Sequence, residues 1–168
     1  MTKCFKWTAM IGVAAAAISC ALIAGAVPGF AQAAKDPFVG TWKLNPSLST
    51  MVPADQKSKI VVNSARPNGI LITETVETTS GEKKIYKIPY VYGGKFTPQN
   101  VSPLYDMLAV ERITPYSVHW TLRNKGKAAG DATQDVSKGE KILTMVAHIK
   151  LPTGEMVTQK SVFEKQAP

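Results

Sequence analysis

Residues 59–92 read KIVVNSARPNGILITETVETTSGEKKIYKIPYVY, which is the pattern of a β-meander. The stretch contains three runs rich in Val, Ile, Thr and Tyr, residues that fit a pleated sheet. Two glycine-bearing turn signals, Asn68-Gly69 and Ser80-Gly81, separate these runs. Asn-Gly favours a two-residue type I′ hairpin turn, in which both central residues have positive φ. The sequence therefore predicts three consecutive antiparallel strands joined by tight turns.

The same pattern continues on both sides of this stretch. Nine runs qualify as strands: 38–45, 59–65, 70–79, 83–92, 107–113, 117–124, 128–136, 141–151 and 155–165. Run 141–151 is partly apolar on both faces, which predicts a place in the middle of the sheet. A short helical turn over 102–107 is the only helix that we expect. Short strands at regular spacing indicate an all-β antiparallel sandwich or barrel.

The first 33 residues have the features of a signal peptide. Lys3 and Lys6 precede an apolar run over 9–27, and Ala31-Gln32-Ala33 matches a signal-peptidase site. We therefore predict a signal peptide over 1–33, a single domain over 34–168, and a periplasmic or secreted protein.

Two other processing routes stay open. The apolar run is long enough to serve as an uncleaved membrane anchor, and lipoprotein processing at Cys20 would leave a lipid-modified terminus. Cleavage after Ala33 removes both cysteines, Cys4 and Cys20, so the mature domain would contain neither a disulfide nor a thiol nucleophile.

Composition and charge narrow the class of protein. Hydrophobic residues make up 45% of the chain and charged residues 19%, which is typical of a globular protein. The formal net charge is +8, but the lysines are scattered near turns, whereas nucleic-acid binding calls for a concentrated basic stripe. We predict no nucleic-acid partner and leave weak attraction to anionic envelope surfaces open.

One segment carries a family resemblance. Residues 36–45, DPFVGTWKLN, resemble the opening of bacterial exported lipocalin-like proteins, which place Gly-x-Trp on the first strand of a small barrel. Residues 92–95, YGGK, and the closing 162–165, VFEK, are similar to later parts of that family. The resemblance implies an antiparallel up-and-down β-barrel of about 8–10 strands, in which Gly40 and Trp42 are structural.

The chain departs from the typical lipocalin pattern on the last strand. Lipocalins place an arginine there to cover the tryptophan, but this chain has no arginine after Arg123. The resemblance leaves Lys160 or Lys165 to take that place.

A ligand site is predicted from alternation alone. Four large side chains lie on apolar faces of three strands, which a closed barrel would turn inward: Tyr86, Tyr90, Trp120 and Met145. Because His148 is three residues from Met145, it should lie on the opposite face and outside the barrel.

Catalytic and metal sites are not indicated. His119 and His148 lie in separate strands without a metal-ligand spacing, and Glu74 and Glu77 should point to opposite faces. We therefore predict no catalytic residue, no metal and no cofactor. The leading hypothesis is a non-catalytic binding protein for a small apolar or aromatic molecule. An acid–base enzyme using a histidine in the barrel and an envelope interaction protein with a filled barrel are the alternatives, and the oligomeric state is left open.

Overall fold

The computed structural model describes residues 35–50 and 52–167, so the predicted signal peptide over 1–33 lies outside the described residues. The described part of the chain is almost entirely β-structure. Its ten strands are β1 (Gly40–Leu44), β2 (Gln56–Arg66), β3 (Gly69–Thr78), β4 (Lys83–Val91), β5 (Thr97–Pro98), β6 (Met107–Thr114), β7 (Ser117–Asn124), β8 (Lys127–Val136), β9 (Ile142–Lys150) and β10 (Met156–Lys165). All nine predicted strands are present, and β5 is an additional two-residue strand.

The strands form one antiparallel sheet in the order β4-β3-β2-β1-β10-β9-β8-β7-β6-β5. Each strand pairs with its chain neighbour, except that β4 and β5 form the two ends of the order, and β1 also pairs with β10, which is an up-and-down arrangement. Strand β9 lies between β8 and β10, as its two partly apolar faces predict.

The sheet closes on itself between β4 and β6 through sparse contacts. A parallel bridge joins Tyr92 to Val110, and the Gly94 amide donates to the Val110 carbonyl at 3.0 Å. The Gln99 side-chain amide adds a hydrogen bond to the Pro89 carbonyl at 3.0 Å. The predicted all-β, antiparallel up-and-down barrel is confirmed, with ten strands and a nearly closed wall.

Two local predictions are wrong. Residues 102–107 contain no helical turn; a 3-10 helix occurs instead at Pro46–Leu48, where the Asn45 side chain caps its first turn. The β2–β3 turn is not type I′, because its central residues are Pro67 and Asn68 and only Asn68 has positive φ, 55°. The proline ring holds φ near −65°, which excludes a type I′ turn at this position.

A β-bulge changes the alternation in β8. Leu122 pairs with Gly130 while Arg123 pairs with Ala128, so Ala129 is the extra residue. Gly130 has φ of 149°, and a Cβ there would lie 2.1 Å from the His148 carbonyl oxygen. Only glycine fits at this position, because the backbone of β9 comes so close to that of β8. After Gly130, the even-numbered residues of β8 face the interior.

The apolar core fills one end of the barrel. Its largest fully buried side chains come from the N-terminal segment and from five strands: Phe38, Trp42, Ile70, Leu108, Val110, Val118 and Leu143. Among the described residues, no helix is long and apolar enough to cross a membrane.

Candidate functional site

Above the packed end, the barrel encloses a cavity of about 450 Å³. The walls are inward-facing residues of β2, β3, β4, β7, β8, β9 and β10, and the floor includes Trp42 and Phe163. A volume of this size is in the range of natural small-molecule sites. The barrel is therefore not filled by its own side chains.

The cavity extends towards the end of the barrel formed by the β1–β2 and β5–β6 connections. Pro53 comes from the first connection, and Val101 and Tyr105 come from the second. Lys59 and Glu74 lie nearby with side chains about one-fifth exposed, whereas Trp42 at the floor is fully buried. This end is the mouth of the cavity.

The floor is built around Trp42. Its indole Nε1 donates to the Phe38 carbonyl at 3.0 Å, and the same carbonyl accepts from the Asn63 side-chain amide at 2.9 Å. The N-terminal segment is thereby held across the closed end, and the indole contributes both to the core and to the cavity surface.

Lys165 covers the Trp42 ring. It is one of the two lysines expected to take the place of the lipocalin arginine. Its Nζ lies 5.1 Å from the ring centroid and 3.1 Å from Glu140 Oε2, while Lys160 is exposed. Gly40 makes room for this lysine, because a Cβ at Gly40 would come within 2.9 Å of the Lys165 Cε, and its φ of 145° also suits glycine. These contacts agree with the structural roles predicted for Gly40 and Trp42.

Three of the four predicted ligand-binding residues line the cavity. These are Tyr86 on β4, Trp120 on β7 and Met145 on β9. Tyr90 faces the same interior but does not line the cavity, since it lies against Trp120 at 5.2 Å between ring centroids and against Tyr92 at 5.5 Å. The prediction that Tyr90 lines the cavity is wrong, because alternation specifies the face of a strand but not the depth in the barrel. Ligand binding by the other three stays a prediction.

Sequence analysis missed a charged pair on the cavity wall. Lys59 Nζ lies 2.9 Å from Glu74 Oε1, across the β2–β3 ladder. Glu77 lies on the other side of β3, where it accepts from Lys57 at 2.7 Å, which lowers the pKa of its carboxyl group. The two glutamates therefore point to opposite faces as predicted. The sequence signal for the pair was strand parity, since Lys59 lies on the same face as the inward-facing Val61 and Glu74 on the same face as Ile72.

Tyr105 adds a phenol to the same region. Burial first, and then the negative charge of Glu74, raise the pKa of Tyr105 to about 12. The phenol is consequently protonated and uncharged at neutral pH.

Two residues that line the cavity each hold a buried polar atom without a hydrogen-bond partner among the described residues. The atoms are Nε1 of Trp120 and Oε1 of Gln134, in side chains 3% and 4% exposed. Trp120 pairs with Ala132 across the β7–β8 ladder, so Gln134 is its diagonal neighbour on the inner face. A buried donor or acceptor without a partner costs about 1–3 kcal/mol. Because neither atom is accessible, the two unpaired groups lie behind the surface of the wall and do not face the cavity.

A second polar cluster closes the opposite end of the barrel. Asp36 accepts from the Tyr92 hydroxyl at 2.7 Å and forms an ion pair with Arg112, whose guanidinium lies 3.9 Å from the Tyr92 ring centroid. Burial, together with the neighbouring Tyr90 and Asp36, raises the pKa of Tyr92. The cluster ties the N-terminal segment to β6 and does not line the cavity.

The histidines lie away from the cavity. His148 is on the outer face, with Nδ1 at 3.5 Å from Asp131 Oδ2, as its parity with Met145 predicts. His119 pairs with Glu111 and Thr133 on the outer face of β7. Within residues 35–50 and 52–167, no three His, Cys, Asp or Glu residues lie together as a metal site.

Comparisons with known proteins complete the description of the site. No family model matches the chain, and no curated protein sequence matches it. Among solved structures, it is similar to the zebrafish ileal bile acid-binding protein complexed with cholic acid, with a TM-score of 0.48 and 12% sequence identity. That similarity covers 77% of this chain and 99% of the zebrafish chain. The strand order and the cavity of this chain themselves establish an antiparallel up-and-down β-barrel with room for a small molecule.

Proposed function

We propose that this protein is an exported, non-catalytic binding protein that holds a small apolar or aromatic molecule inside its barrel. The observation that carries the proposal is the cavity of about 450 Å³ enclosed by inward-facing strand residues. Much of its wall is aliphatic or aromatic, for example Ile72, Ile88, Leu122, Met145 and Phe163. Burying an apolar ligand there would gain roughly 25 cal/mol for each Å² removed from water.

The geometry favours this function over the two alternatives. The enzyme hypothesis relied on His119 or His148, and both lie on the outer surface of the barrel. The interaction-protein hypothesis required a barrel filled by side chains, and this barrel has a cavity.

Binding of N-phenyl-1-naphthylamine, an uncharged dye that fluoresces in apolar surroundings, tests the proposal. The wild-type protein should bind it, and Met145→Lys should weaken binding by about tenfold or more, because the substitution places an unpaired ammonium on the cavity wall. His148→Ala is the matched control on the same strand and should change little. Affinity that falls with His148→Ala and is unchanged by Met145→Lys would overturn the proposal and favour the enzyme.

Export is a separate part of the proposal with its own test. The charged start, the apolar run and Ala31-Gln32-Ala33 support cleavage that leaves Ala34 as the first mature residue. Intact-mass measurement of the protein from the periplasm or medium should give the mass of residues 34–168. A lipid-modified Cys20 terminus, or a protein that keeps residues 1–33, would contradict this prediction.

A further inference from the structure

The cavity wall has no net charge. Of the described residues that line it, only Lys59 and Glu74 have side chains that are charged at neutral pH. Their Nζ and Oε1 atoms lie 2.9 Å apart, and their side chains are 22% and 19% exposed. The single positive and the single negative charge therefore neutralise each other within the wall.

This neutrality makes the cavity a poor host for an ion. Moving a charged group from water into a largely apolar site is costly unless the site supplies an unpaired opposite charge. An anionic ligand that reached Lys59 would place a second negative charge beside Glu74. A cationic ligand that reached Glu74 would meet Lys59 in the same way.

The other polar side chains that line the cavity carry no charge, for example those of Gln56 and Gln159. Tyr105 adds an uncharged phenol near Glu74.

From these observations we propose that the cavity selects uncharged ligands over carboxylates, sulfonates and protonated amines of similar shape. The inference rests on the proposed function and specifies its ligand class. It runs against the overall charge of the chain, +8, which by itself would favour anions.

A matched pair of fluorescent probes tests the selection. N-phenyl-1-naphthylamine and 8-anilinonaphthalene-1-sulfonate share one aromatic skeleton, and only the second carries a permanent negative charge. The mature protein, in about 0.15 M salt to screen the surface lysines, should bind the uncharged probe at least about tenfold more tightly. Displacement of one probe by the other shows that both occupy the cavity.

Because the sulfonate also makes its probe more soluble in water, the decisive quantity is how the affinity ratio changes in variants. Glu74→Gln leaves Lys59 without its partner, so the sulfonate should bind about fivefold or more tightly than to the wild type. Lys59→Gln leaves Glu74 alone and should weaken the sulfonate further. Glu77→Gln, which removes a carboxylate from the outer face of the same strand, is the matched control and should leave the ratio unchanged.

The outcomes separate this inference from the proposed function. Equal affinity for the two probes in the wild type, or a ratio that neither Glu74→Gln nor Lys59→Gln alters, overturns the charge selection and leaves a binding protein. If neither probe binds to the wild type, both proposals are overturned. Should Glu74→Gln fail to fold, Lys59→Gln by itself decides the inference.

Discussion

Replacement of Trp42 by alanine tests whether the floor of the cavity also holds the barrel together. The Trp42 side chain is fully buried, donates to the Phe38 carbonyl and lies beneath Lys165. Truncating a buried tryptophan to alanine costs about 3–5 kcal/mol. We therefore expect a loss of about 4 kcal/mol, in the middle of that range.

The hydrogen bond contributes little to this figure. The Phe38 carbonyl keeps its second donor, the Asn63 amide, so truncation does not leave a buried acceptor without a partner. Trp42→Phe keeps an aromatic ring and removes only the Nε1 donor and part of the volume. It should therefore cost about 1–2 kcal/mol, less than half the alanine value.

Urea denaturation followed by far-UV circular dichroism measures both losses, with the free energy of unfolding obtained by linear extrapolation. Leu48→Ala is the control, because Leu48 is 53% exposed and its truncation should change stability by less than about 0.5 kcal/mol. A loss below about 1 kcal/mol for Trp42→Ala would refute the structural role. Equal losses for Trp42→Ala and Trp42→Phe would instead assign the effect to the hydrogen bond.

Three further predictions concern the closed end, the bulge and the response to alkali. Arg112→Met should lower the free energy of unfolding by about 1–3 kcal/mol, because it removes the partly buried partner of Asp36 and the cation over Tyr92. Arg123→Met removes only a cation over Phe96 and should lower it less in the same urea experiment. Gly130→Ala should cost about 2–4 kcal/mol through the clash with His148 and the positive φ, whereas Gly139→Ala, with open space around its Cβ, should be nearly neutral. The folded-state pKa of Tyr105 is raised from 10.0 to about 12, so the folded state keeps a proton that the unfolded state loses. Stability should therefore fall as pH rises from 10 to about 12, and fall less steeply in Tyr105→Phe; equal slopes in both proteins would contradict the assignment.

The sequence predicted the strands because alternation and turn chemistry act locally. Every predicted strand lies within three residues of its observed bounds, and Ser117–Asn124 agrees at both ends. The two exceptions have different causes. Thr97–Pro98 is too short to show alternation, and the segment over 102–107 takes its irregular path from contacts with the barrel, for example the Asn124 side chain bonded to the carbonyls of Pro103 and Leu104.

The predicted type I′ turn shows that two Gly-containing turn motifs can form different turns, depending on the residues around them. Asn68-Gly69 has the preferred composition, but the register closes the hairpin at Arg66 and Gly69, which makes Pro67 a central residue. Lys125-Gly126 has a less typical composition, yet both residues have positive φ, 50° and 77°, between the paired Asn124 and Lys127. Strand register, which long-range pairing sets, therefore selects the turn.

The site was harder to predict from the sequence, because the depth of a residue along the barrel axis is not a local property. Tyr86 and Tyr90 share a face of β4, yet at about 3.3 Å per residue they lie roughly 13 Å apart along the strand. One lines the cavity and the other packs beneath it. Which of the two tyrosines lines the cavity depends on how far the packed core extends from the closed end of the barrel. Residues distant in sequence, such as Phe38 and Val110, determine that extent.

Charged residues in the inward phase of a strand offer a signal that apolar alternation does not. Lys59 is in phase with Val61, and Glu74 is in phase with Ile72, so strand parity alone places one ammonium and one carboxylate inside the barrel. A close-packed apolar core would exclude both, because each would lose its hydration without room for compensation. A cavity open at one end accommodates them, since the charges pair with each other and remain about one-fifth exposed. Oppositely charged residues in the inward phase of two adjacent strands are thus a sequence signal for a cavity, and here their balance is the basis of the proposed preference for uncharged ligands.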